Sequence, residues 1–200
     1  MNENPKLYMA ILGATPEGRL TEQHDVFFGI GKTLAELVPQ MKAFWPEAKG
    51  RIHIDSWREV TVVGGYKINV AHKNQSDNAH LFFINLGGYK ENDLEEYHYK
   101  ILAVAETMAE AARISKQTAF YKHYGFKGAE SHIDDKYGID VDDIHNVHDI
   151  LNPLLRREFS LQISKSAIAY EDELHIGYLR IEKLEKENAA NPGLSRTERS

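Results

Sequence analysis

His53, Asp55 and Trp57, in the stretch RIHIDSW, are the residues of this chain whose types and spacing most directly offer chemistry. An imidazole two residues from a carboxylate is what a general base with an orienting partner requires, and the same pair supplies two ligands to a divalent metal. The triplet returns further along as His132, Ile133 and Asp134. Read as a strand, RIHID alternates, so His53, Asp55 and Trp57 share one face while Ile52 and Ile54 take the other. Such a pair also serves as a polar stitch on a half-exposed sheet, and both readings stand at this point.

Two more histidines, His24 and His98, hold matched places in TEQH and EEYH. If the residues after them are helical, His24 lies at the border of the apolar stripe and Glu22 points well away, so the two are not one motif. A histidine at such a border is usually a packing residue. Arg19 stands in the loop from Gly13 to Leu20. A loop from a strand to a helix start exposes N–H groups and a positive dipole end, and Arg19 would add a bidentate partner for a carboxylate or phosphate. GIGKT, Gly29 to Thr33, resembles the end of a phosphate-binding loop, but the glycine needed five positions before Gly31 is Val26. Nucleotide binding by that route is therefore set aside.

An internal repeat must position these residues. LYMAILGATPEGRLTEQH aligns without a gap on LFFINLGGYKENDLEEYH, and the register continues until His53, Ile54 and Asp55 meet His132, Ile133 and Asp134. Each copy opens on an apolar run ended by glycine, which predicts a buried strand. Phe27, Ile30, Leu34, Leu37, Val38, Met41 and Trp45 come next at helical spacing, with a kink or break expected at Pro39. Gly64 and Gly65 predict a two-residue hairpin turn. The expected fold class is α+β: two tandem β-α-β-β repeats, 6–73 and 80–184, with helices on one face of a mixed or antiparallel sheet. An approximate two-fold axis would relate the copies, as in ferredoxin-like layers or glyoxalase-like module pairing. A helix inserted at 141–152 distinguishes the second copy, and 185–200 reads as a flexible polar tail.

The bulk numbers narrow the partners. A chain of 200 residues, 42% hydrophobic and 27% charged, can bury one core or two small ones. A net charge of -6 without a basic run excludes nucleic acid and anionic membranes as expected partners. With no cysteine, disulfides, thiolate chemistry and zinc knuckles are ruled out. The apolar run near the start is too short for a membrane span, which makes the cytoplasm the default location.

The combination of EGR, TEQHDVFFGI, FWPEA and HIDSW resembles a bacterial domain-of-unknown-function family, DUF1543, which occurs in one or two copies per chain. This chain looks like a two-copy member, with the likeness reaching about Leu184. The resemblance implies no activity, since the family has no assigned reaction. Its second copy departs from the pattern, with EEYHYKILAV and HIDDKY in place of TEQHDVFFGI and HIDSW.

Taken together, the residues point to a small polar ligand or a divalent metal, the one cofactor they suit, held on a sheet face or in a groove between the copies. His53, Asp55, Trp57, Arg19 and His24 are the first-copy candidates, with Trp57 as an apolar wall. Their second-copy counterparts are His98, His132 and Asp134. A metal-assisted or His/Asp hydrolase or isomerase is the enzymatic alternative, and a non-enzymatic homodimerising module is the third.

Overall fold

A computed structural model of the chain describes residues 4–72, 78–89, 94–117, 139–167 and 170–190. The two apolar runs form β1 (Lys6–Ala14) and β6 (His80–Tyr89), as their length predicts. The segments after them differ from expectation. Residues expected to open the long helices are strands β2 (Gln23–Gly31) and β7 (Glu96–Ala105), each antiparallel to the strand before it.

Two capping boxes explain the shift. Thr33 Oγ1 accepts the Glu36 N–H at 3.4 Å, and Glu36 Oε2 accepts the Lys32 N–H at 2.8 Å. Thr107 and Glu110 repeat the exchange, with Glu110 N–H on Thr107 Oγ1 at 3.2 Å and Glu106 N–H on Glu110 Oε2 at 3.0 Å. A reciprocal pair of this kind fixes a helix start. Upstream of it, Val26, Phe27, Phe28 and Ile30 suit a pleated surface, and Gly29 and Gly31 would weaken a helix. Helical structure therefore begins late, with a 3-10 turn at Leu34–Leu37, α1 (Val38–Phe44) and α2 (Met108–Ser115). Pro39 sits in the first turn of α1, where its missing N–H is tolerated. Each half thus opens β-β-α rather than β-α-β.

The first half continues with β3 (His53–Glu59), β4 (Val62–Val63) and β5 (Tyr66–His72). The expected turn joins the last two, with Gly64 and Gly65 at φ 57° and 80°. In the second half, β8 (Ile139–Asn146) occupies much of the stretch expected as an inserted helix over 141–152, and helix is confined to α3 (Val147–Ile150) and α4 (Pro153–Glu158). Strands β9 (Phe159–Lys165) and β10 (His175–Arg180) come next, then α5 (Ile181–Ala190). That last helix takes the place expected for the start of the polar tail. Ile181 and Leu184, three apart, are buried with Leu34, Val38 and Met41, and Lys42 Nζ meets Glu185 Oε1 at 2.5 Å.

Among the described residues the strands make three sheets, ordered β10-β3-β1-β2, β4-β5-β9 and β7-β6-β8, and their ladders are antiparallel. The mixture of these sheets with a few short helices is α+β. Leu7, Met9, Phe28 and Ile30 of the first sheet share an inner layer with Leu81, Phe83 and Val104 of the third. The Phe28 and Phe83 rings meet edge to face at 5.7 Å. Alternate residues face outward: Tyr8, Ala10, Leu12, Phe27 and Ile54 under α1 and α5, and Phe82, Ile84 and Leu86 with Ala111 of α2. Each large side chain buried in these layers contributes roughly 1.5–3 kcal/mol.

Strand registers in the two halves correspond. Leu7 pairs with Ile30 and Gly13 with His24 in β1–β2, while Leu81 pairs with Val104 and Gly87 with His98 in β6–β7. Among the described residues no helix is long and apolar enough to cross a membrane.

Candidate metal centre

Alternation places Gly13 of β1 and His24 of β2 on the inner face of the first sheet, the face of Met9 and Phe28. His53 of β3 stands opposite Gly13 on the other side. Its strand neighbours Ile52 and Ile54 lie in the outer layer under the helices, so the imidazole projects inward as RIHID predicts. Gly13 is what gives it room. A Cβ there would fall 2.3 Å from His53 Nε2 and 3.1 Å from Asp55 Oδ2.

Asp55 belongs to this group because β3 carries a bulge. Ile11 pairs with Ser56 and Leu12 with Ile54, which leaves Asp55 as the extra residue. A bulge re-aims side chains and reverses the parity of the strand beyond it. Trp57 accordingly lies on the opposite face from His53. It packs against the outer layer, 6.1 Å from the Tyr8 ring, and stacks on His175 at 3.9 Å. The expected tryptophan wall is replaced by Tyr178 of β10, whose ring is 4.4 Å from His53.

The strand character of residues 23–31 changes the geometry most. On a helix Glu22 and His24 diverge; at the entry to a strand, residues two apart turn the same way. His24 Nε2 lies 3.0 Å from Asp55 Oδ2 and 3.5 Å from Glu22 Oε2. His53 Nε2 lies 3.2 Å from Glu22 Oε1 and 3.3 Å from Asp55 Oδ1. Each carboxylate therefore straddles both imidazoles, and Glu22, His24 and His53 can offer ligand atoms to one ion.

These approaches are ion-pair distances, yet the buried atoms His53 Nε2 and Asp55 Oδ2 make no hydrogen bond of acceptable geometry. Buried groups left so are rare and call for a partner. The four approaches, which use both oxygens of each carboxylate, span 3.0–3.5 Å, and donor atoms about 2.0–2.1 Å from one zinc ion would stand at comparable separations. Two carboxylates also balance the charge of a divalent ion.

Arg19 is exposed, and its N–H closes a turn on Pro16 O at 3.2 Å. The loop that carries it joins two strands, so the helix dipole expected beside it is missing. No contact among the described residues joins Arg19 to the cluster. His98 is exposed on β7, its Nδ1 3.2 Å from Asn85 Nδ2. His132 and Asp134 lie outside the described residues. The strand that takes β3's place in the third sheet is β8, where Asp140 pairs with Gly87.

Residues 19–70 match the model of a Domain of Unknown Function, DUF1543. The match supports the family over a shorter span than the resemblance to about Leu184, and it takes in all four residues of the cluster. No curated protein matches the chain. The crystal structure of a protein Il1583 from Idiomarina loihiensis is similar at a TM-score of 0.60, covering 89% of this chain and 98% of that one at 18% identity. At that identity the likeness concerns the fold alone.

His24 also borders a cleft of about 300 Å³ between the first and third sheets. Asn85, His98, Lys100, Asp143 and His145 line its other side. Burial holds the Lys100 ammonium below the ordinary lysine range, an effect that nearby Asp25 opposes.

Proposed function

We propose that the chain binds a divalent transition metal through Glu22, His24, His53 and Asp55, and presents it to a small polar ligand in the inter-sheet cleft. The buried, unbonded His53 Nε2 carries this reading, because it converges with ligand atoms of Glu22 and His24, beside Asp55, where a Gly13 side chain would have stood. Two imidazoles and two carboxylates suit a borderline ion such as Zn²⁺ or Fe²⁺ better than Ca²⁺.

An enzymatic form of this reading is favoured by one observation. The side chains of Glu22 and His24 are 45% and 44% exposed, so an ion held there would keep a side open to solvent. Catalytic zinc sites share that openness, whereas structural sites are closed. Metal-activated water acting on a ligand in the cleft would make the protein a hydrolase or isomerase of small polar molecules. We further read the two halves as copies of one ancestral unit, on the strength of their matching registers.

Chelator-treated protein titrated with Co²⁺ tests the centre. Visible absorption of a low-coordinate ion, saturating with at least one tight site and lost in both His24→Ala and His53→Ala, is expected. Unchanged spectra in both variants would sink the proposal.

A further inference from the structure

A row of three cross-strand partners runs across the third-sheet wall of the cleft. Lys100 of β7 pairs with Asn85 of β6, and Asn85 pairs with Asp143 of β8. Directly opposed residues share a face, here the inner face of Phe83, and all three line the cleft. Two strand spacings hold the backbones of Lys100 and Asp143 roughly 10 Å apart. Neither charge is answered within the chain: among the described residues Lys100 and Asp143 have no hydrogen bond and no ion pair. Asp143 is exposed, but Lys100 is half-buried. An ammonium drawn partly out of water without a partner is costly, and its lowered pKa expresses that cost. Asp25, whose field reaches it from the first sheet, has its Oδ1 on the Val26 N–H at 2.7 Å.

We infer that the cleft takes a small amino-carboxylate with the charge pattern of a free amino acid, its carboxylate on Lys100 and its ammonium on Asp143. The inference rests on the reading of the cleft as ligand space beside the metal centre, and it names the class of that ligand. An anion supplies the partner that burial makes necessary for Lys100, through a charge-assisted hydrogen bond of about 2.7–2.9 Å. A dianion such as phosphate suits the cleft less well, because Asp25 and Asp143 line the same space. A zwitterion complements both signs. Val26 and Phe83 add apolar surface for a neutral side chain. A volume of about 300 Å³ stands at the lower end for ligand pockets, which limits the occupant to something near a single amino acid. His24 borders the same space, so a ligand held this way would lie beside the ion.

Full-length protein, chelator-treated and Co²⁺-loaded in parallel, is screened singly against the standard L-amino acids by thermal shift and then by calorimetry. At least one neutral amino acid should raise Tm and bind, with an affinity that falls more than about tenfold in Lys100→Met and in Asp143→Asn. The matching acid without the amino group and the matching amine without the carboxylate should each bind about tenfold more weakly or worse. Lys100→Met removes an unpaired charge from a half-buried position and so keeps the fold, and circular dichroism verifies both variants. No binding of any amino acid at millimolar concentration, or an affinity unchanged in either variant, overturns the inference. Inorganic phosphate bound through Lys100 more tightly than any amino acid does so as well. The two readings fail separately. A cobalt spectrum that depends on His24 and His53 while no amino acid binds removes this inference alone. Lys100-dependent amino-acid binding, in protein whose cobalt spectrum ignores both histidine variants, removes the metal centre alone.

Discussion

Gly13 and His53 are cross-strand partners, and the imidazole fills the space a Gly13 side chain would occupy. The glycine is thus a structural condition of the cluster. Gly13→Ala should abolish tight metal binding and lower stability by about 1–3 kcal/mol, the usual cost of overpacking. Cobalt titration and urea denaturation check the two halves of this expectation.

Trp57 gives the complementary case. Its ring stacks on His175 in the outer layer, away from the cluster. Trp57→Phe should weaken the fold by about 1 kcal/mol through the lost stacking area while metal stoichiometry and affinity hold. A tenfold loss of affinity in the folded variant would contradict the bulge-induced change of face.

The capping boxes predict paired effects. Thr33→Ala and Thr107→Ala each remove a hydroxyl that accepts a helix-start N–H. Each should cost about 0.5–2 kcal/mol, and Ser at either position should recover most of it. Denaturant midpoints of the four variants measure this.

Lys100 makes stability depend on pH. Burial lowers its pKa from the ordinary 10.5, so in the window just below that value the unfolded chain holds more protons than the folded one. Stability rises with pH in such a window. The penalty is complete below the folded-state value and fades as pH climbs through 10.5. Metal-free Lys100→Met should therefore melt higher than the parent at pH 7, with the gain shrinking in alkaline buffer. A gain that does not vary with pH would point to packing instead.

Much of this architecture is legible in the residues. LYMAILG and LFFINLG announce strands by length and terminal glycine, Gly64-Gly65 announces its turn, and the alternation of RIHID aims His53 away from the helices. The helix starts mislead because Phe27, Ile30 and Leu34 happen to sit at helical spacing across a strand-to-helix junction. Thr33 with Glu36 and Thr107 with Glu110 hold the information that separates the two periods. Placing residues 23–31 in a strand joins Glu22 to His24 at once. The bulge at Asp55 is not readable, since it arises from pairing between strands and not from any local pattern. For the same reason sequence alignment matches His53 with His132, whereas backbone pairing matches it with Asp140.

The sheets also exchange strands, with β10 hydrogen-bonded to β3 and β5 to β9. His53 consequently sits between an early strand and a very late one, with Tyr178 as its ring neighbour. During synthesis the cluster cannot gain its Tyr178 wall until β10 has left the ribosome, and a portion ending before β10 would keep the ligands yet lack the ring that shields them. Uptake of an ion would then serve as a late mark of finished assembly.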